Sequence, residues 1–103
     1  MIDLTQTPEN MIPVYLVREI YDIRDTQAED EKDFDQIIVN DTILEIIDRV
    51  NFTYVKAGLE PTEVIKKVGY LMNLTVYLDP HRESNNIIFT NDKNETLVLE
   101  VKL

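Results

Sequence analysis

The sequence predicts an α+β fold, with two to three helices packed on a small antiparallel three-stranded sheet that forms a β-meander at the C-terminus. Three observations carry this expectation. An amphipathic stripe runs from Asn40 to Ala57, a second apolar face follows Pro61, and side chains alternate between apolar and polar in the segments after Leu74. At 103 residues the chain reads as one domain, an arm over 1–13 and a unit over 14–103, large enough to bury about two-thirds of its unfolded surface.

The arm contains Thr7, Pro8 and Pro13 and keeps no period, so it is expected to be mobile unless something ties it down. From Val14 to Ile23 the residue types suit a strand, while Leu16, Ile20 and Ile23 lie at helical spacing. Helix is favoured, because Pro13 fits a first helical turn and Arg18, Glu19, Asp22 and Arg24 then share a wet side. Phe34, Ile37, Ile38 and Val39 read as a buried connector or brief strand.

At about 100° per residue, Ile43, Ile46, Ile47, Val50, Tyr54 and Ala57 fall in one sector of about a hundred degrees. Extending that wheel backward puts Phe34, Ile37 and Ile38 on the opposite side, which places a phase break near Val39 and Asn40. Thr42 with Glu45 fits a capping box, and Asn40 or Asp41 equally fits the cap position. Gly58 is a fitting stop.

A second helix from Pro61 would present Val64, Ile65, Val68, Leu71 and Met72, so that the two helices form a hairpin or helix-turn-helix. Gly69 costs such a helix about 0.5 to 1 kcal/mol against Ala, which implies a close backbone approach there. The segments 74–79, 86–90 and 96–102 then supply the three strands, with a turn at Asn91 to Asn94. Two helices followed by a meander resemble a winged helix in outline only.

Charge limits the range of functions. The net charge is −10, and residues 1 to 35 carry ten acids against three bases. That balance opposes binding to nucleic-acid phosphates or anionic lipid and favours a basic protein partner, or simply solubility. The sequence has no cysteine, so it offers no disulfide, thiolate metal site or Cys nucleophile. No apolar run approaches the ~20 residues of a membrane span, and the start lacks a signal-peptide pattern, so a soluble intracellular chain is expected. The sequons at Asn51, Asn73 and Asn94 then read as chance matches. Twelve Ile and eight Asn against two Ala and two Gly match the codon bias of an AT-rich genome, which points to a low-GC bacterium or its phage.

The compositionally unusual stretch is the connector 25–35, where Asp25, Glu29, Asp30, Glu31, Asp33 and Asp35 face Lys32 alone. Its plain reading is a solvated loop. Its sharper reading is an imitation of nucleic acid, which needs a helical or folded-back segment to approach the 3.4 Å spacing of phosphates along a strand. An EF-hand is excluded, because no register supplies the required Gly.

A catalytic site would have to use His81 with Asp79 or Glu83 and Ser84, but all sit in one hydrophilic turn without an oxyanion hole. With only Gly58 and Gly69, no phosphate loop can be built, and no cofactor or metal is expected. Lys66 and Lys67 on the second helix give a weak DNA-binding reading, opposed by Glu60 and Glu63. The expectation is therefore a non-enzymatic interaction module. It would be an assembly subunit, monomeric or homo-oligomeric, that uses its arm and a strand edge, in the host cytoplasm or a virion; the alternative is an acidic inhibitor of a nuclease or another nucleic-acid-binding protein.

Overall fold

The computed structural model describes residues 1–50, 52–54 and 65–103. In chain order it contains β1 (Ile2–Asp3), a 3-10 turn (Glu9–Met11), α1 (Ile12–Glu29), β2 (Gln36–Val39), α2 (Asp41–Ile47), β3 (Phe52–Tyr54), β4 (Lys66–Leu71), β5 (Leu74–Leu78), β6 (Ile87–Thr90), β7 (Thr96–Leu99) and β8 (Val101–Lys102). The fold is α+β, as expected, but the sheet is larger than a meander. Six strands lie in the order β3-β4-β5-β2-β6-β7, and β1 pairs separately with β8.

Helix α1 forms over the ambiguous segment, with Pro13 in its first turn, where a missing N–H breaks no helical bond. Leu16, Val17 and Ile20 are buried along one stripe. The arm is tied down at its start. Ile2 N donates to Glu100 O at 2.9 Å and Leu4 N to Lys102 O at 2.8 Å, and Leu4 is buried. Beside it the Thr5 hydroxyl and amide both donate to the Asp3 carboxylate, which holds that carboxyl below its ordinary pKa.

Of the buried connector or brief strand expected before Asn40, the strand forms as β2, and the phase break falls where the helical wheel failed. Ile37 and Val39 are fully buried between parallel β5 and antiparallel β6. Asn40 is the cap of α2, its side-chain oxygen accepting from Ile43 N at 2.9 Å. Ile43 and Ile47 are fully buried, and Ile46 and Val50 pack against the core from its margin. Phe34 meets Phe89 edge to face at 6.1 Å.

Three expectations are corrected here. The helix begun at Asn40 does not reach Ala57: Arg49 N bonds to Ile46 O and Val50 N to Ile47 O, a tightened final turn, and Phe52–Tyr54 is a strand. Aromatic and β-branched residues there follow strand preference, and the place of Tyr54 on the wheel was coincidental. Gly58 and Pro61 lie outside the described residues.

The second helix is not formed over 66–71, which is β4. A register shift between Lys67 and Gly69 inserts Val68 as an extra residue, and Val68 packs against the core together with buried Leu71, so two apolar core contacts fall three residues apart on one strand. That irregular spacing imitates a helical period. Neither the helix pair nor the winged outline therefore exists among the described residues, and Lys66 and Lys67 sit on a strand rather than a recognition helix. Finally, the last three strands are not consecutive neighbours, because β2 separates β5 from β6. The β6–β7 pair and its turn form as expected, with Asn91 Oδ1 accepting from Lys93 N and Glu95 N.

The close approach inferred at Gly69 is present, in a strand instead of a helix. A Cβ built on Gly69 would collide with the Thr53 carbonyl oxygen and lie 2.7 Å from Phe52 Cζ. Gly69→Ala is therefore expected to destabilise the domain by about 2 kcal/mol or more, lowering its melting temperature by roughly 10 °C. A melt coincident with the parent would contradict the β3–β4 pairing.

Candidate protein-interaction surfaces

The six acids of the 25–35 connector are all exposed, but they do not form one regular array. Asp25 and Glu29 lie on the last turns of α1, and Asp30 is its C-cap. Glu31 follows with φ 63°, while Glu31 N bonds to Ala28 O and Lys32 N to Gln27 O. This is a Schellman ending with Glu where Gly is favoured. Asp33 and Asp35 lie beyond it, and the Asp35 carbonyl accepts from Thr75 N at 2.9 Å.

Local contacts define two grooves around these acids. Arg24 bonds to Asp25 Oδ1 at 3.1 Å and to the Asn73 side chain, which ties α1 to the β4–β5 turn. Asp33 and Asp35 line the groove beside that link, of about 330 Å³. They also line a second, of about 180 Å³, with Asn91, Asp92 and Lys93. Gln36 Nε2 donates to Asp92 Oδ1 at 3.2 Å, so Asp92 joins the acidic end although it lies far off in sequence. Among the described residues, no group of three or more His, Asp or Glu is placed to hold a metal ion.

The His81 turn is occupied by its own structure. Asp79 Oδ1 accepts from His81 N at 3.1 Å and Asp79 Oδ2 pairs with Arg82 at 3.5 Å, while Ser84 Oγ accepts from Asn86 N at 3.1 Å. The Asp79 and Ser84 side chains are thus engaged in shaping the turn, and His81, which joins it through its backbone N–H, is exposed.

A surface invisible in the linear sequence lies on the other side of the sheet. The two helices and the core-facing strand residues form one apolar cluster, to which Ile38, Tyr77, Ile88 and Val98 do not belong. Registers align those four in one row: Tyr77 faces Ile38, Ile38 faces Ile88, and Ile88 faces Val98. Lys67 extends the row beyond Tyr77. The adjoining row is Thr53, Tyr70, Thr75, Gln36, Thr90 and Thr96.

Neither row contains a carboxylate, in a chain of net charge −10. Lys67 Nζ lies 4.7 Å from the Tyr70 ring centroid, and its hydrogen bond to Tyr70 raises its pKa, so the row ends in a firm cation. The available sequence signal was an apolar residue on the off phase of each strand, Val98 between Leu97 and Leu99 being the clearest. No helix among the described residues is long and apolar enough to cross a membrane.

The acidic end of α1 works against its own helix. Glu29, Asp30 and Glu31 meet the negative end of the helix dipole, and the last turn has no base. Glu31→Gly removes both an unfavourable charge and a strained φ, so urea denaturation should show a gain of about 1 kcal/mol. Unchanged or lower stability would contradict the geometry assigned to this turn.

No protein-family model matches the chain, and neither a curated protein nor a solved structure matches it.

Proposed function

We propose that this chain is a small, acidic, non-enzymatic interaction module that serves as a subunit of a larger assembly, in the cytoplasm or particles of a low-GC bacterium or its phage. The observation that carries this reading is the unequal sheet. One face is sealed by α1 and α2, whereas the other presents the row Tyr77, Ile38, Ile88 and Val98, with Val98 55% exposed. An ordered apolar row outside the core marks a surface suited to protein contact. Its freedom from carboxylates removes the repulsion that other surfaces of an acidic chain would bring to such contact.

The second reading, an inhibitor that imitates nucleic acid, draws on the end of α1. Carboxylates that oppose a helix dipole cost stability, and a basic groove that neutralises them would recover it. Only Asp25 and Glu29 of the six lie within the helix, so phosphate-like spacing is supported over a short part of the connector.

Affinity isolation with mass spectrometry of the native protein and two variants separates these readings. The assembly reading predicts a recurring set of structural proteins that is lost with Ile88→Glu but kept when Glu29, Asp30, Glu31 and Asp33 become amides. The inhibitor reading predicts a basic nucleic-acid enzyme with the opposite dependence. Partners indifferent to both variants would overturn both.

A further inference from the structure

The outer edge of β7 carries a more specific site. Thr75 N donates to Asp35 O and Asp79 N to Val39 O, so odd-numbered residues of β2 turn their backbone groups to β5 and even-numbered ones to β6. Carrying that alternation through the pairs Ile38–Ile88 and Ile87–Leu99 directs Leu97 and Leu99 to β6. The backbone groups of Thr96, Val98 and Glu100 then face away from the sheet. Ile2 N takes the Glu100 carbonyl on that outer side, and β1 runs parallel to β8. The chain's own arm thus pairs with the far end of this edge, while no strand among the described residues covers Thr96 and Val98.

Beside the uncovered part runs a groove of about 380 Å³ between α1 and β7. Its floor is apolar, from Ile23, Leu97 and Leu99, and its α1 wall carries Glu19 and Asp22. Neither carboxylate is ion-paired among the described residues. On the opposite face, Val98 ends the apolar row described above.

We propose that this edge and groove bind an extended segment of a partner protein in which basic and β-branched apolar residues alternate. The segment pairs with the outward groups of Thr96 and Val98 as an added strand. Its Lys or Arg stems lie along Ile23 and Leu97 with their cations at Glu19 and Asp22. Its apolar residues fall on the other face, next to Val98, and lengthen the row by one position. The occupant follows from the chemistry of the two sides: carboxylates over an apolar floor on one, an uncharged apolar row on the other. This deepens the reading of the chain as an interaction module and rests on it.

The test is an NMR titration of the full chain with a capped heptapeptide alternating Lys and Val, against a peptide of the same composition with the Lys and Val in separate blocks. Saturable shifts on β7 and the Glu19 to Gln27 face of α1 are expected for the alternating peptide, and weaker binding for the blocked one. The double variant Glu19→Gln/Asp22→Asn should bind about tenfold less tightly. Val98→Pro removes an outward N–H without touching the β6 ladder, so it should stay folded and lose binding.

Equal binding of the two peptides, shifts confined to Asp25–Asp35, or undiminished affinity in the double variant would each overturn the proposal. So would an absence of saturable binding at peptide concentrations on the order of 1 mM. The double variant keeps the test decisive if Val98→Pro fails to fold. Failure here leaves the open-face reading intact, because that reading is lost only if partners ignore Ile88→Glu.

Discussion

The position of β2 is the constraint on which the rest of the molecule depends. It is the strand with a parallel neighbour on one side and an antiparallel neighbour on the other, and its Ile37 and Val39 are fully buried. A parallel pairing cannot be closed by a tight turn, so the chain must leave the sheet and return before β5 can form. Asn40 makes that departure possible. Its side-chain oxygen caps α2, while Nδ2 donates to Ser84 O at 2.9 Å and Asn85 Oδ1 at 2.8 Å. One buried amide therefore ends the central strand, starts the helix over the core and fixes the loop that enters β6. Each bond answers a polar group that would otherwise be buried unpaired.

Elements whose evidence is local are legible in the sequence. Pro13 with the spacing of Leu16, Ile20 and Ile23 favoured a helix over 14–23, although α1 runs on to Glu29 through residues read as part of the connector; the broken helical phase near Val39 separated a buried connector or strand from α2, and Asn40 was among the residues suited to the cap. The failures have a common physical origin. A bulge at Val68 gave β4 a spurious helical spacing, and the insertion of β2 between β5 and β6 rests on contacts far apart in sequence that no local period records. Gly69 was informative despite the wrong element, because close backbone approach is a steric demand that applies to strands and helices alike.

The same distinction applies to the candidate sites. Six consecutive-region acids were visible as composition, yet their arrangement around a Schellman ending and beside Asp92 required the fold. The apolar row could not be found by scanning, since its four members come from four strands. Together these features separate the molecule into chemically distinct surfaces. Acids gather at the end of α1 and in the neighbouring loops, while the two rows on the sheet face outside the core cluster hold, among the described residues, aromatic, β-branched, hydroxyl and amide side chains and Lys67. Such segregation suits a protein that meets partners in defined orientations, because like charge penalises the wrong approach as contact area favours the right one.

Amide hydrogen exchange of the isolated protein, read residue by residue, tests the central claim most directly. A sheet organised around β2 requires Ile37, Ile38 and Val39 to be among the slowest amides, while Thr96 and Val98, facing outward from an edge, exchange far faster than Leu97 and Leu99. Protection of Val98 equal to that of Ile38, or rapid exchange across β2, would contradict the strand order and the open edge together.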